Sequence, residues 1–406
     1  MRKSLLLLVL VSPFLLSGCG GKGQNDATKM VFVSLSELEI KDDFWTPYFL
    51  INKDITLPLC VEWTERHFES PMVSKAVEGI GYSLQFEKDT DLTVKRSTWM
   101  TRLKNGTGQQ QAAMDTCEVS RAVSTVFNDA DQLRISGDGC YADNLEQTLY
   151  NKVLPCISLK GDRFFSELPL SSIGNLSRLT WDDIPGGAMD LFRVIPYLGN
   201  ITYGTSEEAL WVNLYMGGKA NVKVNGKEMS VHQTTAYPFD GYVALTLELS
   251  RPVKAEVRLR IPSWCGDYTI SINGRVYESV VMDAGYAILN RKWQDGDSIE
   301  LILDMPVDTV DSLLGNEEKG KRAVQRGPII YCMEEQDNPS GFDTLCLSKG
   351  MEFSLEKLPK ATWWGHELML IKAKTPEAGV LAFIPYFAWG NRGPGKMEVF
   401  VPYQGD

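Results

Sequence analysis

Two carboxylates stand side by side at Asp182 and Asp183, just ahead of the turn Pro185-Gly186-Gly187. A carboxylate pair can carry split pKa values and divide the acid and base work of glycoside hydrolysis. Neighbouring residues point their side chains apart, however, and a solvated loop entering a Pro-Gly turn accounts for the same residues. Glu334 and Glu335 close the run IIYCMEE, where a strand end is expected to leave acidic side chains in water. Gln109, Gln110 and Gln111, with Asn105, could hydrogen-bond sugar hydroxyls or simply form a polar loop. Trp181, Trp211, Trp363, Trp364 and Trp389 could stack on sugar rings, although aromatics in β-domains more often anchor cores. No Ser/His/Asp triad or nucleotide-binding loop competes with these. The three histidines, His67, His232 and His366, exclude a His-rich metal site.

The compartment is read from the first residues. Arg2 and Lys3 precede an apolar run from Leu5 to Leu16 that is short for a membrane-spanning helix. Leu16-Ser17-Gly18-Cys19 is similar to a bacterial lipoprotein cleavage box, so residues 1–18 are expected to be an export signal and Cys19 a lipidation site. Acyl chains on Cys19 would hold the protein to a membrane, at about 0.8 kcal/mol per buried CH2. Residues 19–30 then form a tether rich in glycine and polar residues. The other cysteines, Cys60, Cys117, Cys140, Cys156, Cys265, Cys332 and Cys346, are widely spaced and contain no CxxC pair. They signal neither a zinc ribbon nor a thioredoxin-type site.

The 406 residues suggest two or three domains. A net charge of −11 and the lack of any basic run exclude a nucleic-acid partner. Two periodicities divide the chain. Val119, Ala122, Val123, Val126, Phe127, Ala130 and Leu133 mark one face of a helix over 118–136, with Gly137 as its stop. Leu145, Leu149, Tyr150, Val153 and Leu154 continue that period to Pro155, and 46–67, 73–87 and 188–199 are further helix candidates. Pro58 and Pro196 should break or kink two of these. From about residue 206 the period becomes two, as in Val243, Leu245, Leu247 and Leu249. Asn225-Gly226 and Asn273-Gly274 suit type I′ hairpins. The expected organisation is α+β multidomain: a helical region over 31–205, a β-sandwich over 206–320 and a β-rich unit over 321–406.

Several segments, in order, resemble glycoside hydrolase family 127, the β-L-arabinofuranosidase type. They are DFWTP at 43–47, KAVEGIGYSL at 75–84, DTCEVSRAVSTVFNDADQLRISGDGCYADNLEQTLYN at 115–151, GDRFF at 161–165 and ALWVNLYMG at 209–217. RKWQDGD at 291–297, RGPIIYCME at 326–334 and IPYFAWGNRGPG at 384–395 follow. The resemblance implies an (α/α)6 barrel followed by β-sandwich domains and a carbohydrate substrate, arabinofuranosyl or related. It also implies a zinc ion held by one Glu and three Cys, with one Cys as nucleophile and a separate Glu as acid/base.

Carried over residue by residue, that set is incomplete. The family's Glu-x-Cys falls on Asp115-Thr116-Cys117, leaving Asp115 and Cys117 as a metal remnant. Its Cys-Cys pair falls on Gly186-Gly187, between the landmarks Trp181 and Arg193. The stretch 96–114, where the acid/base Glu is expected, contains no Asp or Glu. Zinc is therefore not expected, and Asp182 and Asp183 are the candidates for a replacement acid/base pair. Cys140 or Cys156 would restore a nucleophile if the fold placed either thiolate in the same cavity. Five helices are too few for a twelve-helix barrel, so the helical region is expected to be a shortened one that docks its apolar faces elsewhere. Two functions follow: a glycoside hydrolase with altered residues, or an inactive, surface-tethered carbohydrate-binding or scaffold protein.

Overall fold

The computed structural model describes residues 28–105, 117–313, 316–317, 319–375 and 379–405. Cys19, Gln109, Gln110, Gln111 and Asp115 lie outside the described residues, as does the side chain of Asn105.

Seven α-helices are described: α1 (Trp45–Ile51), α2 (Leu57–Arg66), α3 (Val73–Phe86), α4 (Thr90–Asn105), α5 (Glu118–Ser136), α6 (Gly139–Thr148) and α7 (Pro185–Thr202). The expected helix over 46–67 is two helices joined by a π-turn at Asn52–Thr56, which absorbs Pro58 in the first turn of α2. The other interior proline, Pro196, does not break α7. It removes the N–H that would bond the Phe192 carbonyl, and Asn52 Nδ2 donates to that carbonyl instead, at 3.0 Å. In α5, Val119, Ala122, Val123, Val126, Ala130 and Leu133 are buried as the period requires. The helix ends where Gly137 takes a φ of +69° and its N–H bonds Leu133 O at 2.8 Å. Asp138 then caps α6 by accepting from Cys140 N at 3.0 Å. Helix α6 continues through a π-turn at Leu149–Val153 into a 3-10 turn at Leu154–Cys156.

The β-part has two large sheets that share one apolar core and a third at the C-terminus. Both expected hairpin turns are present, with positive φ at Asn225, Gly226, Asn273 and Gly274. Val224 pairs with Lys227 across the first and Ile272 with Arg275 across the second. Burial alternates along Tyr242–Leu249 and Val253–Arg260, giving each sheet one apolar face.

The boundaries differ from expectation in three places, one of them Ser171–Ile173 of the expected helical region, which pairs with Lys396–Glu398 in the C-terminal sheet. Val31–Phe32 pairs with Tyr203–Thr205 and Leu38–Ile40 pairs with Gly218–Val224, so the first residues of the expected helical region complete the two sheets of the sandwich. Val307–Val310 pairs with Lys321–Arg326, so the C-terminal sheet starts before residue 321. A strand belongs to the sheet that satisfies its backbone, whichever domain its sequence neighbours occupy.

The helices dock on this β-part. The N–H of Gly139, in the first turn of α6, donates to Ala284 O at 2.7 Å, at the hairpin that joins Val281–Asp283 to Tyr286–Trp293. A Cβ on residue 139 would stand 2.9 Å from that oxygen, so glycine permits the approach. The seven described helices remain fewer than a twelve-helix barrel needs.

Candidate functional site

The site begins where two helix starts meet. Cys117 is the N-cap residue of α5, and Pro185, Gly186 and Gly187 form the first turn of α7. A Cβ on residue 187 would lie 3.7 Å from Cys117 Sγ and 2.8 Å from Val119 Cγ1. The place where the family's cysteine pair was expected therefore does lie against Cys117. In this chain the contact is thiol against glycine backbone, with Val119 in the remaining space.

Behind that contact lies an ionic cluster. Cys117 Sγ donates to Ser120 Oγ at 3.3 Å, and Ser120 Oγ donates to Asp190 Oδ2 at 2.6 Å. Lys75 Nζ reaches the same Oδ2 at 2.7 Å, and Arg193 Nε reaches Oδ1 at 2.9 Å. Arg193 also donates to Glu78 Oε2 at 2.7 Å, and Tyr82 OH donates to Glu78 Oε1 at 3.0 Å. The guanidinium carbon lies 4.5 Å from the centre of the Phe127 ring. Asp190 is 1% exposed. Helical spacing brings the charges together: Lys75 and Glu78 are three apart on α3, and Asp190 and Arg193 three apart on α7. Gly79 lets the two helices close, because a Cβ there would stand 2.5 Å from Phe192 Cε1.

The cluster has little free capacity for chemistry. Both oxygens of Asp190 accept from fixed donors, and its charge is balanced by two cations. Sequence reasoning missed Lys75, Glu78, Ser120 and Asp190 and used Arg193 only as a landmark. The available signal was the pair Asp190 and Arg193 inside the otherwise apolar AMDLFRVIPYL, since buried charges require partners.

The adjacent aspartates do not form a pair. Asp182 is exposed and turns to Arg66 on α2, at 3.1 Å. Asp183 turns back to Thr180, accepting from its N–H at 2.8 Å and its hydroxyl at 2.7 Å. Those hydrogen bonds hold the Asp183 carboxyl below its ordinary pKa. Asp183 therefore caps its own loop while Asp182 faces Arg66, and the two carboxylates do not converge on one point.

Other candidates also change place. Glu334 is 5% exposed, against the expectation of a solvated strand end. It pairs with Arg392 and accepts from Gly390 N at 2.7 Å. Its neighbour Glu335 accepts from Lys396 N at 2.9 Å. Trp181, Trp211, Trp363 and Trp389 are buried, and only Trp364 of the five has an exposed ring. Cys156 is fully buried and donates to Lys152 O at 3.3 Å. Burial raises the pKa of its thiol, which disfavours a thiolate there. Cys140 lies in the first turn of α6 and is disulfide-bonded, so it offers no free thiol to act as a nucleophile.

Zinc does not fit this donor set. Among the described residues no group of three or more His, Cys, Asp or Glu side chains could hold a metal ion; Cys117 faces the backbone of Gly187, and the Asp190 carboxylate is claimed by Lys75 and Arg193. Two concavities open elsewhere. One of about 760 Å³ is lined by Asn221, Lys223, Glu228, Ser230, Glu248 and Asp295 on the sandwich. The other, of about 230 Å³, lies between Phe49, Lys53, Phe86 and Pro196.

Comparison with known proteins follows the same layout. The β-L-arabinofuranosidase GH127 catalytic-domain model matches residues 105–199, the GH127 middle-domain model 209–305 and the family 127 C-terminal-domain model 314–402. A non-reducing end β-L-arabinofuranosidase of Bifidobacterium longum is 28% identical over 309 residues, covering 66% of this chain and 46% of the relative. The chain thus spans about half the length of that curated relative. A GH127 β-L-arabinofuranosidase structure from Geobacillus stearothermophilus superposes with a TM-score of 0.66 at 27% identity, over 81% of this chain and 59% of that one. A solved structure titled as a GH127 β-arabinofuranosidase superposes with a TM-score of 0.81 at 19% identity, over 94% of this chain and 99% of that one. The last match shows the fold alone, and it shows that a short helical region joined to these β-domains is an arrangement found in another protein. With three consecutive domain models in register and a helical region followed by β-domains, this chain belongs to glycoside hydrolase family 127, related to the β-L-arabinofuranosidases.

Proposed function

We propose that this protein is an exported, lipid-anchored member of the family that recognises arabinofuranosyl or related glycosides without zinc–thiolate chemistry. One observation carries the reading: the position next to Cys117, where a nucleophilic cysteine was expected, is Gly187. With no sulfur there, no bond to an anomeric carbon can form by the family's route. Asp182 and Asp183 supply no substitute, because one is in a surface ion pair and the other caps a loop. The family relationship supports a carbohydrate partner, and the sequence Leu16-Ser17-Gly18-Cys19 supports attachment to a bacterial membrane through Cys19. A surface-tethered glycan-binding or scaffold role fits these features.

A second reading is hydrolysis by residues other than the family's set. It is favoured by the match of residues 105–199 to the family's catalytic-domain model and by the 28% identity to a curated β-L-arabinofuranosidase. One experiment separates the two. The purified protein is titrated calorimetrically with arabinofuranosyl oligosaccharides and assayed with aryl arabinofuranosides. Saturable binding with turnover at the buffer rate is the expected result. Turnover that is lost in Cys117→Ser would refute the binding role, and neither binding nor turnover would remove both readings. Attachment is tested by palmitate labelling in a bacterial host, which should be lost in Cys19→Ala.

A further inference from the structure

In the arrangement the family resemblance implies, a divalent cation draws a carboxylate and three sulfurs to one point and so fastens the helices that carry them. The same place in this chain has been recomposed. One sulfur remains, the facing residue is glycine, and positive charge enters from side chains instead. Lys75 comes from α3, Ser120 from α5, and Asp190 and Arg193 from α7, and three of the four converge on the Asp190 carboxylate at 2.6 to 2.9 Å. The side chain of Asp190 is 2% exposed, that of Arg193 14% and that of Lys75 20%. A divalent ion next to Cys117 would stand close to two fixed cations and gain nothing from a carboxylate they already hold.

We infer that the Lys75–Asp190–Arg193 ion cluster, joined to Cys117 through Ser120, is a metal-independent latch that fastens α3, α5 and α7 in place of zinc. A buried anion shared by two cations and a hydroxyl holds only as a complete set, because removing one cation leaves charge in a poorly solvated site. The latch does not rest on the reading of this protein as a glycan binder. It concerns what holds the helices, so its failure leaves sugar titrations unchanged, and a failed sugar titration leaves the latch intact.

The test uses the full chain expressed in zinc-supplemented medium. Elemental analysis should find zinc far below one per chain, and the thermal midpoint should be the same with and without EDTA. Lys75→Met should lower the midpoint by several degrees, and added zinc should not restore it, whereas Lys75→Arg should hold it near the parent value. Stoichiometric zinc that disappears in Cys117→Ser, or a midpoint that falls on chelation, would overturn the inference. So would a Lys75→Met midpoint equal to the parent's. Should Lys75→Met fail to accumulate, the metal content and EDTA response of the parent chain still decide.

Discussion

His366 shows how one residue's surroundings set its chemistry. It is 3% exposed, its ring meets Tyr48 at 4.6 Å between centres, and its Nε2 pairs with Leu159 O at 2.9 Å. Burial lowers its pKa from 6.5 to about 4, only partly opposed by the Leu159 carbonyl. The unfolded chain therefore binds this proton more readily than the folded one. Stability from this group is fully present above pH 6.5 and is lost as pH falls towards 4, by about 3 kcal/mol for a shift of that size. His366→Gln keeps a donor for Leu159 and removes the titration. Urea unfolding between pH 7 and 4 should show a shallower acid loss in the variant than in the parent, and parallel curves would reject the assignment. The same scale explains what the sequence hid. The types and order of Asp182, Asp183 and Glu334 were legible, but their partners were not. Arg66, Thr180 and Arg392 lie 116, 3 and 58 positions away, and only the first and last depend on the fold. Gly186 and Gly187 were legible in full, because a missing side chain needs no partner to interpret.

Helix α7 depends on another element for its continuity. Pro196 leaves the Phe192 carbonyl without its helical donor, and Asn52, in the π-turn between α1 and α2, supplies one. Asn52 is 3% exposed, so water cannot replace it. Asn52→Leu should cost about 1–3 kcal/mol for the abandoned carbonyl. Pro196→Ala restores a backbone N–H in register with that carbonyl, so the double variant should lose less than the sum of the two single losses. A double-mutant cycle by chemical denaturation checks this, and strict additivity would contradict the coupling. Periodicity found the helices that bury a full stripe, as in α5, and both Asn-Gly turns. It missed α4, where Trp99 is the one buried side chain among those described while Val94 is 60% exposed. An amphipathic pattern is written only by a helix that buries a face. The remaining signal was Asp89, whose Oδ1 accepts from Leu92 N at 2.8 Å and so caps α4.

For the molecule as a whole, the question is how a reduced set of helices stays attached to its β-domains. Part of the answer is apolar, since one continuous core runs from Met30 to Val401. The rest is a buried ionic joint that the alternating pattern of Val253–Arg260 could not reveal, because Arg260 reads there as an ordinary outward-facing arginine. It is instead fully buried, donating to Asp143 at 2.7 Å and Glu146 at 2.5 Å on α6 and to Asn213 O at 2.6 Å. Tyr237 OH and Trp264 Nε1 donate to the same Glu146, at 2.7 and 3.3 Å. Burial alone would lower the pKa of this guanidinium, and Glu146 and Asp143 together carry it well above its ordinary value. Arg260→Met fills much of the volume but leaves two carboxylates facing each other without their cation. The loss should be about 3–5 kcal/mol, read from the urea midpoint. Glu146→Gln should cost less, because an amide oxygen still accepts from Tyr237 and Arg260 keeps Asp143. If the joint fastens α6 to the sandwich, Arg260→Met should also speed amide exchange along Gly139–Thr148 more than along the Asp190 cluster in α7. Equal acceleration in both helices would mean that the charge serves global stability and not this attachment.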